Sequence, residues 1–346
     1  MRRLLRFTSL GCLAFLPWCS QAQTITPLGV LYVGEESTIE LPYLNEGSGP
    51  VRVESAETSC ECLVPQFVPT DVPVGETRTL TFTYRSNTTG RMRVDIKYFG
   101  ASAATVLKQR SVSGIVVDRK LFLTSEQLRS FQNSEDVLLV DLRAPDRFEK
   151  GHLPRALNLP AFALKHRADL KTRKLVLIDE GFAPASLAEE AQRLRENGFG
   201  TIYVLEGGIA AWIRSGGAVE GVASSALAAS HITPAEFLRS QKTDQWQVIN
   251  AAESDSAWQS LVTVRTGRVA PRVLVVAPTD ASYAGIDNRL TAKTDARVFY
   301  LTGGANALAA YQSEQRRMAA NPGAVFQSKS VQPHVVAKTG CGTCPK

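Results

Sequence analysis

Two short cysteine pairs, Cys60-Glu-Cys62 and Cys341-Gly-Thr-Cys344, hold the side chains of this sequence best suited to chemistry. Thiolates act as nucleophiles, disulfide formers and soft metal ligands, and a Cys-x-x-Cys spacing closes a small ring and lowers the pKa of one thiol. Three readings stand open for these four cysteines. They form two disulfides, tying the tail to the front of the chain or closing locally; they exchange with a thiol-redox partner; or they hold a thiophilic metal such as Cu(I) or Zn(II). His334 alone lies near the tail pair as a nitrogen ligand, so no metal is assigned and no cofactor is expected. The tail pair lacks the strand-to-helix setting of a thioredoxin-type site, and the polar stretch 327–338 before it reads as an arm that carries it.

The other two of the six cysteines, Cys12 and Cys19, fall in what reads as a secretory leader. Arg2, Arg3 and Arg6 precede an apolar run from Phe7 to Trp18, and Ser20 and Ala22 are placed for cleavage. Pro17 interrupts the run, which falls short of the roughly 20 apolar residues of a membrane span. Trp18 before Cys19 argues against lipid attachment. The mature chain is expected to begin near Gln23, with no integral membrane segment, in the periplasm or secreted. There the four remaining cysteines allow three pairings.

At 346 residues and 44% hydrophobic, the chain has material for two or three domains. Loss of the leader arginines lowers the formal charge from +6 to +3, too little to argue for a nucleic-acid partner. Residues 23–117 read as half-buried antiparallel strands: Ser37–Leu41, Val51–Glu54, Thr79–Tyr84 and Met92–Tyr98 alternate apolar with polar between turn clusters. An immunoglobulin-like β-sandwich is expected. After Asp118 short continuous apolar strands, Val137–Val140, Lys174–Ile178 and Thr201–Leu205, alternate with helical patterns at 125–131 and 186–197, which predicts an α/β domain with a parallel sheet over 118–220. The same grammar returns in order from Ile232: Gln247–Ala251 matches Leu138–Leu142, Arg272–Val276 matches Lys174–Ile178, and Val298–Gly304 matches Ile202–Gly208. A second such domain is therefore expected over 221–325, after an Ala/Gly/Ser-rich linker at 214–230, with a cysteine-bearing tail at 326–346.

Through Tyr43-Leu-Asn-Glu-Gly47, Thr58-Ser-Cys-Glu-Cys62 and Pro73-Val-Gly-Glu76, the front segment resembles a family of exported bacterial immunoglobulin-like domains of unknown function. Glu61 stands where that family usually has glycine, which puts a left-handed backbone there in doubt. The α/β repeats resemble the rhodanese family in tandem, on Val140-Asp-Leu-Arg143, the run Asp146 to Ala156 with Gly151-His-Leu-Pro154, and Leu205-Glu-Gly-Gly-Ile-Ala-Ala-Trp212.

The resemblance implies a sulfur-carrying cysteine directly after the strand Lys174–Ile178, in a loop that leads into a helix start. Asp179 occupies that position in the first copy and Ala277 in the second. A carboxylate cannot carry sulfane sulfur as a thiolate does. Asp179 is then either a nucleophile or acid–base group at a helix N-terminus, or a polar relic that caps the helix. Asp141, Arg143 and His152 read as organisers of the domain. The second copy is more degenerate, with Asn250 and Ala252 in place of Asp141 and Arg143. The function expected is non-catalytic: a binding or adaptor protein for another exported protein or a thiol-redox partner. The alternatives are a sulfurtransferase-like or thiol–disulfide carrier using Cys341 and Cys344 and, more distantly, copper binding.

Overall fold

The computed structural model describes residues 25–101, 105–131, 134–221, 225–251, 272–278, 280–291 and 297–320. The expected leader, Ala252 and the Cys341–Cys344 tail lie outside these residues. Among the described residues no helix is long and apolar enough to cross a membrane.

The front segment is built of β1 (Ile25–Tyr32), β2 (Ser37–Leu44), β3 (Val51–Val53), β4 (Ser55–Thr58), β5 (Leu63–Pro65), β6 (Thr70–Val72), β7 (Thr77–Tyr84), β8 (Gly90–Phe99) and β9 (Val106–Val117). They form a sheet in the order β1-β9-β8-β4, a second in the order β2-β7-β5, and a small β3-β6 pair. The alternation read from the sequence is the cause. Ile39, Leu41 and Tyr43 of β2 and Leu80, Phe82 and Tyr84 of β7 turn inward onto Val94, Ile96 and Tyr98 of β8 and Val112 of β9. Each such side chain contributes roughly 1.5–3 kcal/mol by leaving water. The expectation of antiparallel pairing fails at one place: β1 runs parallel to β9, with Ile25 opposite Ser111 and Tyr32 opposite Val117. These are the first and last strands of the sandwich, joined by everything between them, so no hairpin constrains their relative direction. Asn45, buried at 4% exposure, ties two turns together by donating to the carbonyls of Gly49 and Val72. That explains the Tyr43–Gly47 motif.

One residue, Asp118, separates β9 from a short 3-10 turn that opens the first α/β unit. Its elements are β10 (Phe122–Leu123), α1 (Ser125–Phe131), β11 (Val137–Asp141), α2 (Pro145–Lys150), β12 (Leu157–Asn158), α3 (Ala161–Leu164), β13 (Lys174–Ile178), α4 (Pro184–Glu196), β14 (Ile202–Leu205) and α5 (Gly208–Arg214). The sheet order is β10-β14-β13-β11-β12, all parallel. Helix α4 starts two residues earlier than its apolar pattern predicts, because Pro184 is pre-set for the first helical position. Its stripe Leu187, Ala188, Ala191 and Leu194 is buried, and Gly198 at φ 86° ends it.

The second unit comprises α6 (Ala226–Ala229), β15 (His231–Ile232), α7 (Pro234–Ser240), β16 (Gln247–Asn250), β17 (Arg272–Val276), α8 (Tyr283–Thr291), β18 (Arg297–Leu301) and α9 (Gly304–Ala320). Its order β15-β18-β17-β16 repeats, strand for strand, the β10-β14-β13-β11 order of the first, and it too is parallel. The stretch 214–230 is not a plain linker. Glu220 bridges His152 through reciprocal backbone bonds of 2.8 Å, and Ala226–Ala229 is helical with the Ser225 hydroxyl as cap. Small residues there serve close packing: a Cβ on Gly217 would fall 2.2 Å from the Trp212 ring.

Candidate functional site

The carboxyl ends of parallel strands are where an open α/β sheet builds its sites. In the first unit β13 delivers Asp179 to that edge, followed by Glu180, Gly181, Phe182 and Ala183 before α4 begins. The Asp179 carboxylate accepts from the Gly181 N–H at 2.8 Å, and its carbonyl accepts from the Ile209 N–H at 2.9 Å. Gly181 at φ 88° and Gly208 at φ 60° press into each other. A Cβ on Gly181 would lie 2.1 Å from the Gly207 oxygen, and one on Gly208 would lie 2.4 Å from the Asp179 oxygen. The Glu206-Gly-Gly208 motif is thus the floor of the Asp179 loop. The second unit repeats the device, with Gly304 set against the Ala277 carbonyl.

Burial, and next the neighbouring Glu180 charge, push the Asp179 carboxyl up to about 7. Burial likewise raises Glu180, against the pull of Arg147.

What the sequence did not foretell is how the second unit covers this loop. Phe182 packs edge-on against Phe299 at 6.3 Å and joins the cluster of Ile232, Phe237, Leu274 and Leu301 in the second unit. Arg147 bridges Glu180 at 3.2 Å and Glu236 of α7 at 2.9 Å. Asp244, 1% exposed, accepts from the Ala185 N–H in the first turn of α4 at 3.3 Å and pairs with Arg272 at 3.0 Å. The N-terminus of α4, where helix partial charge favours an anion, therefore already faces a carboxylate supplied by the second unit. Ser186 and Thr243 complete the seam, hydroxyl to hydroxyl at 3.0 Å.

In the second unit the matching loop is filled from within. The Tyr283 hydroxyl receives the Ala277 N–H at 3.2 Å and donates to the Leu301 carbonyl at 2.7 Å, with the ring fully buried. Among the described residues, Tyr283 is what the Ala277 backbone faces.

Asp141 and Arg143 are both buried and joined in a forked pair, Nη2 to Oδ2 at 2.7 Å, while the same guanidinium donates to the Gly151 carbonyl at 2.6 Å. This clamp ties the end of β11 to the turn after α2. His152 stacks on Phe148 with ring centroids 3.7 Å apart, and its Nδ1 lies 2.9 Å from the Phe148 carbonyl. Its ring contacts are with α2 and Glu220.

Cys60 and Cys62 are bonded to each other in the turn between β4 and β5, far along the chain from the Asp179 loop. Glu61 between them is not left-handed: among the described residues the one non-glycine with positive φ is Arg155. Among the described residues no group of three or more His, Cys, Asp or Glu side chains is placed to hold a metal.

Residues 124–215 match the rhodanese-like domain family, and residues 20–110 match DUF1573, a protein family of unknown function. A sulfurtransferase of Allochromatium vinosum is 36% identical over 97 residues, 27% of this chain and 89% of that protein. The chain belongs to the rhodanese-like family. The thiosulfate sulfurtransferase GlpE of Shewanella oneidensis is 34% identical over 93 residues, 26% of this chain and 89% of its own. Among solved structures, the Alr3790 protein of Anabaena sp. is 27% identical, over 29% of this chain and 82% of that one, with a TM-score of 0.27. Both named relatives align to about a quarter of the chain, so the front domain and one rhodanese-like copy lie beyond them.

Glu180 and Phe182 of the loop, Arg147 of α2, and Glu236, Asp244, Arg272 and Tyr283 of the second unit escaped the sequence reading. Asp244 sits in Gln241-Lys-Thr-Asp244, which reads as a polar turn, and its partner Arg272 is remote in the chain. The one available signal was Asp179 itself, a carboxylate where a nucleophilic thiol is expected.

Proposed function

We propose that this protein is an exported rhodanese-like adaptor without sulfurtransferase activity, whose first rhodanese-like unit has become a docking module. The observation that carries this reading is the covered loop. Asp179 stands in the nucleophile position, and the second unit supplies Phe182 with a packing partner and the α4 N-terminus with the Asp244 carboxylate. A substrate anion would have to displace that carboxylate and part the two units. The partner is proposed to be another exported protein, recognised on the outer surfaces of the three domains rather than in the cleft.

The test is sulfur transfer from thiosulfate to cyanide by the purified full chain and by Asp179→Cys, read as thiocyanate. No turnover is expected from either, because the cysteine variant restores the thiol and leaves the second unit in place. Turnover by the wild-type chain would overturn the reading outright. Turnover by the variant alone would show that the second unit does not close the loop, and would remove the main support.

A further inference from the structure

The Cys60–Cys62 disulfide is redundant as a brace. It closes a loop of three residues, the arrangement that removes least conformational freedom from an unfolded chain. The turn is held without it. The Thr58 hydroxyl is 2.8 Å from the carbonyls of Cys60 and Leu63, the Arg85 N–H donates to the Cys62 carbonyl at 2.9 Å, and Ser59 exchanges two 2.9 Å bonds with Asp95. Reduction would leave these contacts intact, so both redox states share one backbone.

The pair is also polarised and open to a partner. Both cysteines are half-buried against the sandwich core, and the Cys62 N–H donates to Cys60 Sγ at 2.9 Å, which favours negative charge on that sulfur. Cys60 is therefore the better leaving group and Cys62 the sulfur to be attacked. The neighbours Ser59, Glu61 and Val64 are exposed. β5 leads directly out of the pair and lies at the edge of its sheet, joined to β7 alone among the described residues. An extended chain laid along that edge would bring its own thiols to Cys62, with Val64, 45% exposed, as an apolar contact.

We propose that the Cys60–Cys62 disulfide is a redox site that oxidises the dithiol of a second polypeptide. One partner thiolate attacks Cys62 Sγ; the Cys60–Cys62 bond breaks, and its electron pair leaves on Cys60 Sγ, which takes a proton from water. The second partner thiolate then attacks the partner sulfur of the mixed disulfide and expels Cys62 as a thiolate, which is protonated in turn. Two electrons and two protons pass from the partner dithiol to the sandwich, and the partner leaves as a disulfide. The same steps in reverse, with a disulfide as oxidant, restore the bridge. This activity adds to the adaptor reading and does not rest on it.

The test uses full-length Cys341→Ser/Cys344→Ser, purified without reductant, so that the tail contributes no thiol. The folded protein is mixed with an equimolar reduced synthetic peptide carrying one Cys-Ala-Ala-Cys pair, quenched with acid, alkylated and mapped by mass. Oxidation of the peptide is expected, with Cys60 and Cys62 alkylated in matching amount, and none when Cys60→Ser/Cys62→Ser is added to the chain. With a Cys-Ala-Ala-Ser peptide the mixed disulfide is expected on Cys62, leaving Cys60 alkylated. A bridge that stays intact in native buffer and yields to the peptide only in urea would overturn the proposal, and so would a mixed disulfide confined to Cys60. In parallel, Cys60→Ser/Cys62→Ser is expected to leave the unfolding midpoint of the chain unchanged. A clear loss of stability would make the bridge a structural brace and count against the proposal.

Discussion

Replacing Asp179 by asparagine separates charge from shape at the centre of the candidate site. The amide oxygen still accepts from the Gly181 N–H, while the ionisable group is gone. In the folded protein the Asp179 carboxyl titrates near 7, raised first by burial and then by Glu180, against about 3.9 in an unfolded chain. A folded pKa above the unfolded one means that the folded state binds the extra proton. Its contribution is complete below about pH 4 and is lost as the pH rises through 7. Three pH units at about 1.4 kcal/mol each set a ceiling of about 4 kcal/mol on the loss. Asp179→Asn removes this penalty, and removes a like charge from Glu180 as well. Urea unfolding of both proteins, followed by intrinsic fluorescence at half-unit steps from pH 5 to 8, should give stabilities that diverge as the pH rises, the variant being the more stable at pH 8. Groups that do not interact with Asp179 cancel in the difference. Parallel curves, or a variant less stable at pH 8, would refute the assignment of Asp179 as a group that resists ionisation.

Asp244→Ala should cost about 3–5 kcal/mol by leaving the buried Arg272 charge without its counter-ion, whereas Asp244→Leu/Arg272→Met, which removes both charges, should recover most of it in the same urea assay. Phe182→Ala should cost roughly 1–3 kcal/mol, with faster hydrogen exchange at the start of α4 and in β18, because its ring spans the two rhodanese-like units. Gly208→Ala should destabilise by about 3 kcal/mol or more, since the added methyl meets backbone at a positive φ, and a fall in thermal midpoint would register it.

The fold was legible where periodicity is local. Strands β2, β7 and β8 announce themselves by alternation, and β11, β13 and β14 by continuous apolar runs, because each pattern reports directly which faces a strand buries. The repeated order of those runs was enough to expect two similar sheets. Pairings between distant segments left no such trace. Nothing in Ile25–Tyr32 distinguishes a strand paired parallel to β9 from one starting a hairpin, and nothing near Asp244 names Arg272 or the α4 N-terminus as its neighbours. Asp179 was found because the family motif marks its position. Its surroundings were not, because Phe182, Arg147 and Asp244 are fixed by how two units dock, a property of surfaces rather than of either stretch of sequence.

The parallel alignment of β1 with β9 also has a mechanical meaning. Tension applied between Ile25 and Val117 acts along two strands whose loaded ends lie at opposite ends of the ladder. Such a pull slides one strand past the other, so the hydrogen bonds from Ile25 to Tyr32 bear the load together instead of opening one after another as they would in a pulled hairpin. The sandwich is therefore built to resist stretching between Ile25 and the rhodanese-like units.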